Sequence, residues 1–141
     1  MKQQARQEQD RHVSVCWVLP DVQDPKCIRG YYTLSACSVK LTDLPEAVQK
    51  KLPRYEDMPA ALLGRLAVDL KLKGEHLGEH LLLDAMQKVL TNSATVGTLA
   101  LIVDAKDQGL AAYYQDHGFI PFPSQPLRLF LPVATIAQIL R

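Results

Sequence analysis

The chain has 141 residues, which is enough for one hydrophobic core and too few for two ordinary domains, so residues 1–141 are expected to form a single domain. A composition of 48% hydrophobic and 22% charged residues excludes a disordered chain and is typical of a globular protein. Sixteen basic and fifteen acidic side chains leave a formal charge of +1, so a nucleic acid or an anionic membrane would have to bind a local basic patch.

The N-terminal residues and the cysteines give only general expectations. Residues 1–10 contain good helix formers without an apolar face, which predicts the tail of a helix or a disordered start. No run of 18 apolar residues occurs, which predicts a cytoplasmic protein that does not enter the membrane. Cys16, Cys27 and Cys37 lack metal-ligand spacing and lie in apolar or strand-like segments, so we expect buried reduced thiols and no metal site.

An antiparallel hairpin is predicted next along the chain. Residues 13–19 (VSVCWVL) have strand propensity, prolines and aspartates within 20–25 favour a turn, and IRGYYTLSACSV at 28–39 resumes the strand. Gly30 within this second strand indicates a bulge or a close backbone approach. Residues 41–59 contain three prolines and are expected to form an exposed connection with one short helix at 46–51.

Strands and helices alternate in the remaining sequence. LLGRLAVD at 62–69 is an apolar strand, and Arg65 interrupts it where one face opens onto solvent or a ligand. Apolar residues at helical spacing predict a helix at 78–90. Its polar side is expected to contain Glu79, Asp84, Gln87 and Lys88.

The elements that follow the central helix complete the predicted sheet. A buried strand at 98–105 precedes a helix at 110–117 that Gly118 stops, and another strand begins at 119. LRLFLPV at 127–133 is a last strand, followed by a short terminal helix at 134–140. This order predicts a βαβ unit with parallel neighbouring strands.

A glycine-containing loop, LKLKGEHLGE at 70–79, joins the apolar strand to the central helix. Gly74 and Gly78 let the backbone approach a ligand, and the N–H groups of the first helical turn point toward an anion. Lys71 and Lys73 add positive charge. The spacing alone fits a phosphate-binding loop and an ordinary tight turn about equally well.

In this context the sequence resembles the GNAT superfamily of N-acetyltransferases. The resemblance rests on AVD before the loop, GEHLL after it and VDAKD followed by AAYYQDHGF, and it covers residues 61–130. It implies an α/β (α+β) fold, with a mixed central sheet flanked by helices, and acetyl-CoA as cofactor. The family's loop pattern, Gln/Arg-x-x-Gly-x-Gly/Ala, falls on Lys71, Gly74 and His76. Only Gly74 matches in full, because His76 replaces a residue with little or no side chain.

The coenzyme site that the resemblance implies consists largely of backbone. The main chain of Leu66, Ala67 and Val68 is expected to pair with the pantetheine arm as another strand would. The thioester is then expected near the point where this strand diverges from the next, at 99–103. The diphosphate is expected on the loop and the first helical turn, which contain Lys73, Gly74, Glu75, His76, Leu77, Gly78 and Glu79.

Tyr114 occupies the family's position for the tyrosine whose hydroxyl faces the coenzyme A sulfur. With a reference pKa of about 10, this phenol stays protonated at neutral pH and is expected to act as the general acid. Tyr113 is expected to face the other way. The sequence identifies no general base: Glu56, Asp69 and His117 are candidates, each typical of a solvated surface group, and a water chain is the alternative.

Five segments, YYTLSA, LLGRLAVD, GEHLL, VDAKD and RLFLP, are similar in order to the GNAT branch that contains toxins of bacterial toxin-antitoxin pairs. This implies acetylation of the amino group of aminoacyl-tRNA, a homodimer and a ribbon-helix-helix antitoxin. Arg54, Arg65 and Lys71 are candidate contacts to tRNA phosphates. Members of the branch have a further strand and helix before the equivalent of Arg11, so an N-terminally shortened member is expected.

Two alternative functions stay open. The balanced charge favours a GNAT enzyme that acts on a small-molecule amine or a protein amine, because tRNA binding favours a basic face. The short N-terminal region and His76 favour a degenerate module that binds acetyl-CoA without catalysis.

Overall fold

A computed structural model describes residues 6–8, 14–20, 28–52, 56–68 and 77–140, which form one seven-stranded sheet with helices on it. The strands are β1 (Arg6–Glu8), β2 (Ser14–Pro20), β3 (Ile28–Lys40), β4 (Asp57–Val68), β5 (Ala100–Asp104), β6 (Ile120–Phe122) and β7 (Gln125–Pro132). The helices are α1 (Glu46–Gln49), α2 (Leu77–Val96), α3 (Gln108–Asp116) and α4 (Val133–Ile139), with a 3-10 turn at Leu41–Asp43.

The strand order is β1-β2-β3-β4-β5-β7-β6. The predicted hairpin of β2 and β3 is confirmed, and its register shifts beside Gly30, which lies opposite Leu19 while Pro20 lies opposite Ile28. β4 and β5 are parallel and α2 connects them, which confirms the βαβ unit. The expectation of a further parallel neighbour is wrong, because β7 lies between β5 and β6 and is antiparallel to both.

A short strand replaces the helix tail or disorder expected within residues 1–10. β1 pairs antiparallel with residues 16–18 of β2. Backbone hydrogen bonds to a neighbouring strand offset the weak strand propensity of this polar segment, which propensity alone does not reveal. The other residues of that prediction lie outside the described ranges.

β4 begins at Asp57, five residues before the predicted strand, so the connection before it is shorter than expected. Pro59 lies inside the strand, where its carbonyl oxygen accepts a hydrogen bond from the Leu99 amide at 2.9 Å. The β4–β5 ladder starts only at Ala61, so the missing N–H of Pro59 removes no ladder bond. The expected surface exposure is also wrong in part, since Leu44 and Met58 are buried.

Two hydrophobic clusters lie on opposite faces of the sheet. α2, α3 and α4 cover the main core, while the segment between β3 and β4 contributes to the smaller second core. α2 continues to Val96, six residues beyond the predicted end. No helix within the described residues is both long and apolar enough to cross a lipid bilayer.

The cysteines are less buried than predicted. Cys16 and Cys37 are only partly buried, and burial raises the pKa of the Cys37 thiol. Cys27 lies outside the described residues.

Candidate functional site

A gap opens between the two parallel strands at the centre of the sheet. β4 and β5 pair only from Ala61 to Leu63, opposite Leu101 to Val103. β4 continues to Val68 and, among the described residues, pairs there with β3 alone. Within the described part of the chain, the β5-facing edge of β4 beyond Leu63 therefore has backbone donors and acceptors that no strand pairs with.

A β-bulge at Gly64 marks the point where the two strands separate. In the β3–β4 ladder Thr33 lies opposite Arg65 and Leu34 lies opposite Leu63, so Gly64 is the extra residue. A Cβ at Gly64 would lie 2.7 Å from the Thr33 Oγ1, closer than side chains tolerate. Glycine therefore permits the close approach of β3, and the bulge bends β4 where its ladder to β5 ends.

The expected pantetheine-pairing residues, Leu66, Ala67 and Val68, form the last part of β4, beside this gap. Arg65 precedes them and is exposed, as the sequence indicated. Among the described residues, this half of β4 is therefore a strand edge without a partner on its β5 side, and the chain continues from it into the predicted phosphate loop.

The predicted phosphate loop lies mostly outside the described residues, which include none of its positions 71–76. α2 begins directly after it, at Leu77, so Leu77, Gly78 and Glu79 form the first helical turn. The N–H groups of a first turn have no partner within the helix, and the helix dipole favours an anion beside them. The described residues thus place a helix N-terminus after the open edge of β4.

Tyr114 lies in α3 with its ring in the main core, 6% exposed. The ring contacts Phe119 and Tyr113 edge-on, with centroids 5.3 and 5.6 Å apart. The core that holds it also contains Leu63 and Val103, the last pair of the β4–β5 ladder. α3 brings this residue there because it starts just after β5, where the Asp107 side chain caps the helix.

The surroundings of Tyr114 favour the protonated form of its hydroxyl group. It has no hydrogen-bond partner within the described residues, and the residue as a whole is 6% exposed. Burial of the ring, and next the neighbouring Tyr113, raise the pKa of Tyr114. The phenol therefore stays protonated at neutral pH.

Tyr113 lies beside the first turn of α2 and the end of α3. Its ring centroid is 4.6 Å from that of His117. Burial, and next the charge of Glu79, raise the pKa of Tyr113. The first turn of α2 and the C-terminal half of α3 are therefore neighbours.

The three general-base candidates differ in their surroundings. Glu56 lies just before β4, about 30 Å of extended strand from Leu66, and Asp69 lies outside the described residues. The His117 Nδ1 is 2.9 Å from the Tyr113 carbonyl oxygen, and its Nε2 is 3.8 Å from a Glu79 carboxylate oxygen. Both ring nitrogens of His117 thus face protein groups.

Sequence reasoning misplaced Asp84, which the helical pattern assigned to the polar side of α2. Its side chain is buried instead, at 8% exposure. The signal was present, since positions 77, 81, 84 and 88 repeat at intervals of four, three and four residues and so share a helix face. A carboxylate on a buried face needs partners, and Asp84 has two, from Tyr32 and Lys88.

Comparison with known proteins identifies several relatives, although no family model matches the chain. The probable toxin TacT of Sinorhizobium fredii is 31% identical over 124 residues, which are 83% of this chain and 68% of TacT. A tRNA-acetylating toxin of Mycobacterium tuberculosis is 37% identical over 102 residues, which are 72% of this chain and 60% of the toxin. The chain thus matches about two thirds of the length of these relatives.

Two solved structures of AtaT are similar over most of this chain. AtaT complexed with acetyl-methionyl-tRNAfMet has a TM-score of 0.83 and 31% identity, over 92% of this chain and 76% of AtaT. A tyrosine-to-phenylalanine mutant of AtaT, bound to acetyl-CoA and to the C-terminus of the antitoxin AtaR, has a TM-score of 0.72 and 27% identity. That match covers 90% of this chain and 72% of the mutant.

Proposed function

The chain belongs to the GNAT-type acetyltransferase toxins, and on this premise we propose that it transfers the acetyl group of acetyl-CoA to the amino group of an aminoacyl-tRNA. The observation that carries the proposal is the open edge of β4 from Arg65 to Val68, which leads toward the N-terminus of α2. The relatives supply the acceptor class, because one is named a tRNA-acetylating toxin and AtaT is solved with an acetylated aminoacyl-tRNA.

The residues present fit the coenzyme. An extended pantetheine arm, with its amide groups, matches the β5-facing backbone edge of Leu66, Ala67 and Val68, which has no partner among the described residues. The amides of Lys73, Gly74, Glu75 and His76 and of the first turn of α2 (Leu77, Gly78, Glu79) are proposed to bind the diphosphate. Bound acetyl-CoA supplies a thioester whose acetyl carbon is open to attack by an amine.

Tyr114 is the proposed general acid. Its ring lies in a core that includes the end of the β4–β5 ladder, and its raised pKa keeps the proton in place until sulfur departs. Donation of that proton lets the leaving group depart as a thiol rather than a thiolate. No covalent enzyme intermediate is needed, because the nucleophile is the amine of the acceptor.

The partners are proposed from the same relationship. AtaT is solved with the C-terminus of its antitoxin, and we propose that an antitoxin of the ribbon-helix-helix class neutralises this chain. We also propose that the chain forms a homodimer. We expect a small ribbon-helix-helix protein to be encoded beside this gene. We also expect light scattering to give a mass twice that of the chain.

The balanced charge favours a second candidate, a GNAT enzyme that acts on a small or protein amine. The deciding experiment incubates the purified chain with radiolabelled acetyl-CoA and either aminoacylated tRNA, the same tRNA without its amino acid, or a panel of small amines and peptides. Label on aminoacylated tRNA alone supports the proposal. Label only on small amines or peptides would replace it with the second candidate.

A further inference from the structure

A buried polar network joins α2 to two strands. Asp84 is the only buried Asp, Glu, Lys, Arg or His among the residues whose burial the structure describes. Its carboxylate accepts hydrogen bonds from the hydroxyl of fully buried Tyr32 and, at 2.8 Å, from the Lys88 ammonium. The Lys88 Nζ also lies 4.2 Å from the centroid of the Trp17 ring, so the network reaches β2 as well as β3.

The strand register places this network next to the proposed pantetheine-binding segment. Tyr32 of β3 lies opposite Trp17 of β2 on one side and opposite Leu66 of β4 on the other. All three side chains pack on the sheet face that α2 covers, and the Trp17 and Tyr32 rings are stacked 6.5 Å apart. Tyr32 is therefore the direct neighbour of the first residue proposed to pair with the pantetheine arm.

The same network holds α2, whose N-terminus is proposed to bind the diphosphate. Asp84 lies seven residues after Leu77, about 10 Å along the helix axis. The apolar contacts of α2, such as those of Leu81 and Ala85, bury one face of the helix but do not fix its rotation or its height on the sheet, because the hydrophobic effect is not directional. A hydrogen bond between buried groups is directional, so it sets the rotation and height of the helix on the sheet.

We infer that Tyr32 and Asp84 are positioning residues for acetyl-CoA, because their hydrogen bond holds the N-terminus of α2 at the spacing from Leu66 that the coenzyme spans. This inference rests on the proposed function and deepens it. The two residues act through β4 and α2. Burial, and next the hydrogen bond and charge of Asp84, raise the pKa of Tyr32, which keeps its hydroxyl a donor.

The test compares the wild type with Tyr32→Phe and with the double variant Tyr32→Phe/Asp84→Leu. The single variant leaves the buried Asp84 carboxylate without one of its hydrogen-bond donors, so it is expected to unfold at a lower temperature than the wild type. The double variant removes both buried polar groups and is expected to recover much of the lost unfolding temperature. Both variants are expected to bind CoA about tenfold more weakly by calorimetry and to raise the KM for acetyl-CoA, with kcat near the wild-type value.

The matched control is Tyr31→Phe, the same change one residue earlier, where the strand alternation points the side chain to the other face of the sheet. It is expected to bind CoA as the wild type does. Wild-type CoA affinity in a folded double variant overturns the inference and leaves the proposed function standing, since it shows that the network only stabilises the fold. Failure of the wild type itself to bind CoA removes the proposed function, and the inference with it.

Discussion

The two halves of β4 share one strand but have opposite surroundings. Before Gly64, the strand pairs with β3 throughout and with β5 at residues 61–63, and Met58, Ala60 and Leu63 are buried in the two cores. After Gly64, β3 is the one described strand that pairs with β4, and Arg65 is exposed. A single bulge thus divides the strand into a part that builds the fold and a part whose backbone is proposed to bind the coenzyme.

The comparison predicts that substitutions on either side of Gly64 have separable effects. Changes in the first half are expected to alter the free energy of unfolding without altering coenzyme affinity. Changes around the second half are expected to alter affinity or turnover in a protein that still folds.

The largest expected effect is on stability, from Met58→Ala in the first half. Met58 is 2% exposed in the second core, so its truncation leaves a cavity and is expected to lower the free energy of unfolding by about 3 kcal/mol. Urea denaturation measures that loss. CoA affinity, measured at a temperature where the variant is folded, is expected to stay at the wild-type value, and a folded variant with weakened CoA binding contradicts the division.

Tyr114→Phe is expected to lower acetyl transfer by on the order of a hundredfold while the affinity for acetyl-CoA is kept, because it removes the proposed proton donor and leaves the ring in the core. Steady-state kinetics and calorimetry measure the two quantities. The matched control is Tyr113→Phe on the next residue, which is expected to change turnover by no more than about threefold. Unchanged turnover in Tyr114→Phe removes that residue from the mechanism.

Gly64→Ala tests the bulge itself. The new Cβ would lie 2.7 Å from the Thr33 Oγ1, so the Thr33 side chain or the strands must shift, and CoA affinity is expected to fall about tenfold. Replacing Thr33 with alanine as well removes the clashing oxygen and is expected to restore affinity. Calorimetry on both variants is decisive. An equal loss of CoA affinity in the single and the double variant argues that the contact with the Thr33 Oγ1 does not cause the loss.

Arg65→Glu is expected to have the smallest effect. Arg65 is exposed beside the gap, so reversing its charge is expected to raise the KM for aminoacyl-tRNA about threefold at low salt and less at high salt. Lys50→Glu, at an exposed position just after α1, is the matched control and is expected to leave that KM unchanged. An equal rise in both variants indicates a general charge effect rather than a contact at Arg65.

Much of this fold follows from local sequence patterns. The β2–β3 hairpin, the α2 helix and the β4–α2–β5 unit were predictable because their apolar periodicity and turn residues agree with their final surroundings. β1 and the first half of β4 were not, because their local strand signals are weak and their stability comes from pairing with other strands. Pro59 argued against a strand until the structure showed that its carbonyl, rather than an N–H group, forms the hydrogen bond.

The candidate site divides in the same way. Tyr114 was predictable from the residues around it, through the resemblance to acetyltransferases. The bulge at Gly64 and the burial of Asp84 were not, since one depends on the register between β3 and β4 and the other on a tyrosine 52 residues away. Pairing across a sheet is a tertiary property that local propensity does not encode.

Amide hydrogen exchange on the purified chain, with and without acetyl-CoA, tests the central claim most directly. If the coenzyme pairs with the open edge of β4, acetyl-CoA slows exchange within residues 65–68 and leaves residues 61–63 unchanged, because the latter already lie between β3 and β5. Exchange at 65–68 that saturating acetyl-CoA does not alter contradicts the account.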